Sequence, residues 1–113
     1  MEQHYKLFRV RELAGDDQEF IVALAQTFLE EVPPDAERLK KAVAEKNYHE
    51  AYQAAHKMKP TVDLFELGVL QDLIEVQDWG KFTKTDVDIT DKLEIVLASV
   101  EQASNELRSD FNL

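Results

Sequence analysis

The chain has 113 residues, 44% of them hydrophobic, and 13 basic residues against 23 acidic ones give it a net charge of −10. That is enough sequence for one domain with one core, and the acidic balance argues against nucleic acid or an anionic membrane, both of which recruit basic surfaces. There is no cysteine, hence no disulfide framework and no thiolate metal site; no apolar run approaches the roughly 20 residues of a membrane span, and MEQHYKLFRV is too short and polar for a signal peptide.

Residues 1–113 read as a single domain in a cytoplasmic setting, with no internal repeat. Tyr5, Leu7, Phe8 and Val10 suggest a short helix or an extended arm. Asp16, with Glu19 three residues on, resembles a capping box. Phe20, Ile21, Leu24, Ala25, Phe28, Leu29 and Val32 then recur at helical spacing, which predicts a helix over about 17–31. Pro33-Pro34 reads as a break that opens the next helix, with Leu39, Ala42 and Val43 on its apolar side. A short connection near Asn47 leads to a third helix over about 48–67. A fourth, over about 69–79, carries Leu70, Leu73 and Ile74 and ends near a partly buried Trp79. Gly68 and Gly80 are read as lying between segments, and GKFTKTDVD as a loop. The last helix, over about 89–108, shows Ile89, Leu93, Val96, Leu97, Val100 and Leu107 on one side. The fold class is all-α, and a four-helix bundle with a short additional N-terminal segment buries these stripes most economically.

Pro60 is the proline that falls where no boundary is expected. It lies in AAHKMKPTVDLF, four residues after His56, and removes the backbone bond to the His56 carbonyl. On a wheel with His56 at 0°, Ala54, Met58, Thr61, Phe65, Ala51 and Val62 fall between about 140° and 240°. His49, Tyr52, Gln53, Lys59, Pro60, Asp63 and Leu67 fall within about 60° of His56. The pattern therefore places His56 on the polar side, opposite the core. Lys59 lies one turn on, within reach of a group carried by the imidazole, and Lys57 adds a second local positive charge. A neutral imidazole is a nucleophile, and a neighbouring ammonium would stabilise charge developing on a phosphoryl group. No glycine-rich nucleotide loop accompanies it, so the chain has no visible means of taking phosphate from ATP. Shared metal chelation by His49 and His56 is excluded by two helical turns, roughly 10.5 Å. Arg38, Lys40, Lys41 and Lys46 form a run that could steer an acidic partner or simply be solvated.

Ala55, His56, Lys57, Met58, Lys59 and Pro60 resemble the phosphorylation motif of histidine-containing phosphotransfer (HPt) domains: alanine, histidine, two residues, lysine, then usually glycine. GDDQEFIVALAQTFLEEVP resembles the family's first bundle helix, and LKKAVAEKNYHEAYQAAHKMK its second helix, turn and motif helix. The last 40 residues match only as two amphipathic helices. The resemblance implies that His56 accepts a phosphoryl group on its outward nitrogen and that Lys59 neutralises it. His49, Gln53, Lys57, Pro60 and Asp63 would lie on the docking face. It implies response-regulator receiver domains, or a hybrid histidine kinase, as partners. It implies a monomeric phosphoryl carrier rather than a stand-alone enzyme, with no cofactor or metal of its own and Mg²⁺ on the receiver.

The sequence departs from the family at three places. Pro60 replaces glycine, Asp63 replaces a small residue, and Glu66 stands where a glycine is frequent, with Gly68 two places later. Asp63 would repel a phosphohistidine unless it paired with Lys59. The alternative from another class is a helical adaptor, or a degenerate HPt protein, that binds a receiver or another protein through the same face without being phosphorylated.

Overall fold

An apolar stripe that runs straight through two prolines sets the architecture. In the computed structural model, which describes residues 4–113, Ile21, Ala25, Phe28, Val32, Ala36, Leu39 and Ala42 are buried along one continuous helix, α2 (Gln18–Ala44). The expected break at Pro33-Pro34 is absent. The two prolines remove the N–H groups that the Leu29 and Glu30 carbonyls would accept. Glu30 is exposed and Leu29 partly so, which lets water take their place. A stripe kept in phase over 27 residues outweighs the two lost bonds.

The described residues are all-α. A short α1 (Phe8–Ala14) precedes α2, and α3 (Tyr48–Leu64), α4 (Leu70–Lys81) and α5 (Thr90–Phe111) follow. Helix α2 packs on α3 and α5, α4 packs on the same two, and α1 lies against α2. The resulting body measures 47 × 22 × 20 Å. Its core includes Phe28, Leu39, Met58, Phe65, Leu73, Val76, Val96 and Leu107, with the Phe28 and Phe65 rings 5.0 Å apart. Phe20, expected on the stripe, is exposed in the first turn of α2. No described helix is long and apolar enough to cross a membrane.

Polar side chains start α2 and α3. Asp17, not Asp16, caps α2 by accepting the Phe20 N–H at 3.2 Å. Asn47 caps α3 through the Glu50 N–H at 3.2 Å. The ends share one device. After α2, α3 and α4 the backbone turns left-handed at Lys46, Glu66 and Thr83. In each case the next amide reaches back to the last turn: Asn47 to Ala42, Leu67 to Val62 and Lys84 to Trp79. This is the Schellman closure, usually built on glycine. It ends α3 at Leu64, earlier than expected, and turns Leu67 inward, where it is buried.

Gly80 lies inside α4 rather than between segments, and it is where α4 meets α3. A Cβ there would sit 2.5 Å from the Tyr48 carbonyl oxygen and 2.7 Å from the Tyr52 nitrogen. Both are main-chain atoms of a helix that cannot yield locally. Beside this contact the Tyr48 and Trp79 rings approach to 4.5 Å, and the buried Trp79 donates its indole N–H to the Val87 carbonyl at 2.9 Å.

The extended residues before α1 form a strap. Lys6 donates its N–H to the Phe65 carbonyl at 2.8 Å, Tyr5 donates to Asp110 at 2.6 Å, and His4 pairs with Glu106. Tyr5 and Leu7 are buried beneath it.

Two substitutions test this account. Gly80→Ala should destabilise the fold by about 2 kcal/mol in urea denaturation, because overpacking against backbone exceeds the gain in helix propensity. Thr83→Gly should stabilise it by about 1 kcal/mol, because a β-branched residue is held at φ 49° in a conformation that favours glycine.

Candidate functional site

The side of α3 turned away from the core carries the candidate residues. Ala51, Ala54, Ala55, Met58 and Val62 face inward and are buried. His49, Gln53, His56, Lys57 and Pro60 are exposed, and Lys59 and Asp63 are partly so. Helix α3 runs through Pro60 to Leu64 without interruption. The proline lies on the solvent side, so the carbonyl it frees at His56 stays near water.

The charges on this side are sorted by their partners. Lys57 reaches across to α2, where its Nζ lies 3.2 Å from both oxygens of the buried Asp35. Arg38 Nη1 stands 4.0 Å from the same carboxylate and bonds Glu50 at 2.5 Å through Nη2. The bond to Glu50 raises the Arg38 guanidinium further above its ordinary value, and the same bond holds the Glu50 carboxyl below its own. Lys57 is thus part of an α2–α3 clamp. Asp63, expected to repel a phosphoryl group unless Lys59 paired with it, is bound instead by Arg9 of α1, with Nη1 at 2.6 Å. The Arg9 amide also reaches the Glu66 side chain at 3.3 Å. Lys59 is left without an ion pair or hydrogen bond among the described residues.

His56 itself touches one aromatic neighbour. The Tyr52 ring stacks on the imidazole with centroids 5.6 Å apart and planes 28° apart. A nucleophile, one turn from an uncommitted ammonium and open to solvent, can accept an electrophilic group. His56 and Lys59 stand on an open face among the described residues. A cavity of about 660 Å³ lies elsewhere, between the end of α2, the 82–89 loop and α5, and neither His56 nor Lys59 lines it. No group of three or more metal-ligating side chains forms among the described residues.

Sequence reasoning passed over Arg9, Asp35 and Gln77. Arg9 and Asp35 lie 54 and 22 residues from the charges they neutralise, and nothing local signals either pairing. Gln77 is buried on α4 with its side-chain oxygen unpartnered among the described residues. Gly80 fixes the register of α4 against Tyr48 and Tyr52. In an antiparallel pair, one turn back along α4 is one turn forward along α3, so Gln77 lies level with the turn from Tyr52 to His56. A polar residue three places before a buried glycine on an otherwise apolar stripe was the available signal.

No family model matches the sequence, and comparison with curated proteins and with solved structures returned no match.

The two lysines should separate cleanly on substitution. Lys57→Met should cost about 1–2 kcal/mol in urea denaturation, because it strands a buried carboxylate, reduced by the exposure of the lysine itself. Lys59→Met should change stability by less than about 0.5 kcal/mol.

Proposed function

We propose that this protein is a phosphoryl carrier of the HPt type. In this reading α2–α5 form an HPt-like four-helix bundle, and His56 accepts a phosphoryl group from the aspartyl phosphate of a receiver domain and returns it to another receiver aspartate. The observation that carries the proposal is the pairing pattern around His56: an exposed imidazole on a rigid helix, with Lys59 one turn away and uncommitted.

The chemistry balances without a cofactor on this chain. A ring nitrogen lone pair of the neutral imidazole forms the N–P bond. The P–O bond to the donor carboxylate breaks, and its electron pair returns to that carboxylate. The other ring nitrogen keeps its proton. Lys59 offsets charge on the phosphoryl oxygens, and the partner receiver brings Mg²⁺. Gln53 and His49, one and two turns before His56, border the docking face.

The departures from the family pattern are compatible with this reading. Arg9 neutralises Asp63, so the carboxylate does not act on a phosphohistidine as a bare charge. Position 66, where the family frequently has glycine, is left-handed here, with φ 51°, the conformation for which glycine is the usual choice. Pro60 presents a compact ring beside the imidazole and leaves the approach open.

The test is transfer of label from prephosphorylated receiver domains to the purified chain. Wild type should acquire acid-labile, base-stable label and His56→Gln none, while Lys59→Ala should slow transfer about tenfold or more. Absence of label from every receiver, with binding retained in His56→Gln, would replace this reading with the non-phosphorylated adaptor.

A further inference from the structure

The Tyr52–His56 stack has a consequence for how the imidazole can react. The lone pair of an imidazole nitrogen lies in the plane of the ring. Setting that plane therefore sets the line along which the nitrogen can attack. A ring stacked on the imidazole face leaves both nitrogens free at the edge, whereas a hydrogen-bond partner would occupy one of them. Tyr52 supplies such a stack from one turn before His56, with the planes 28° apart.

The position of Tyr52 is itself fixed from below. Its backbone nitrogen and Cα would lie 2.7 Å and 3.2 Å from a Cβ at residue 80, so α4 rests directly on this turn. The neighbouring turn is held by the Tyr48–Trp79 contact at 4.5 Å, and the Tyr52 side chain is partly buried. Among the described residues, no hydrogen bond orients the His56 ring. The stack is then the ring contact available, among the described residues, to limit rotation of the imidazole about its Cβ–Cγ bond.

We infer that Tyr52 is a positioning residue for His56, holding the imidazole plane so that its outward nitrogen meets a macromolecular donor in line. The inference rests on the carrier reading for its effect on transfer, but the stack can be tested without it. A receiver presents its phosphoryl group from a docked, fixed direction, so ring orientation counts. A small donor such as phosphoramidate approaches from any side, so orientation counts much less.

The full chain, Tyr52→Phe and Tyr52→Leu are compared by two measurements. One is the NMR shifts of the His56 ring protons, which the tyrosine ring current displaces. The other is the rate of phosphorylation by a prephosphorylated receiver and by phosphoramidate. Tyr52→Phe should keep the shifts and both rates. Tyr52→Leu should return the shifts toward those of a free histidine, slow transfer from the receiver about tenfold, and leave the phosphoramidate rate within about twofold. Receiver transfer at the wild-type rate in Tyr52→Leu overturns the inference, as do unchanged ring shifts. Equal loss of both rates with a lowered melting temperature assigns Tyr52 a merely structural part and overturns it as well. If wild type takes label from neither donor, the carrier reading falls and the role in transfer falls with it, while the ring shifts still decide whether the stack exists.

Discussion

The contact on which the rest of this structure depends is the approach of α4 to α3 at Gly80. With no side chain at that position, the backbone of one helix rests against the Tyr48 carbonyl and the Tyr52 amide of the other. Interhelical distance is normally set by the side chains between two helices. Here it is set by main-chain atoms, and a close-packed interior transmits that constraint along both elements. The register of α4 on α3 follows, and so do the placement of Trp79 against Tyr48 and the level of Gln77. The exposed side of α3 is presented by a helix that cannot roll or slide without breaking this contact.

Charge is organised around the same helix. In a chain of net charge −10, cations are scarce and nearly all those near His56 have work elsewhere. Lys57 and Arg38 are occupied by Asp35 and Glu50 on the α2 side. Arg9 is occupied by Asp63 at the far end of the face. The exposed Arg9–Asp63 pair adds little to stability, whereas the Lys57–Asp35 pair holds a buried carboxylate. Together they neutralise the Asp63 carboxylate and commit the Lys57 ammonium to α2. Lys59 remains, on the same side of the helix as the histidine.

Periodicity made the helices legible, and punctuation misled. The stripe from Ile21 to Ala42 is in phase throughout, yet Pro33-Pro34 looked like a boundary, because an interior proline normally costs about 3 kcal/mol per residue. Burial along the whole stripe outweighed it. The same error in reverse affected Gly80, taken for a linker although Trp79 and Lys81 flank it in helical phase. The ends of α2, α3 and α4 were blurred because Lys46, Glu66 and Thr83 occupy left-handed positions usually marked by glycine. On the candidate site, the outward placement of His49, Gln53, His56 and Pro60 could be read from a wheel, since it depends only on residues within α3. The ionic partners of Lys57 and Asp63 could not. They arrive from α2 and α1 through the tertiary fold, and no local rule specifies them.

The strap before α1 makes this molecule's chain order matter during folding. Its bonds join residues separated by 102 and 105 positions, His4 to Glu106 and Tyr5 to Asp110, so they carry a large loop-closure entropy. During synthesis α2, α3 and α4 can meet while the strap still waits for α5 to leave the ribosome. Arg9 follows the strap, and Asp63 stays unneutralised until it docks. The acidic end of the His56 face is therefore completed last, and a nascent chain carries the exposed imidazole before it carries the finished electrostatic surround.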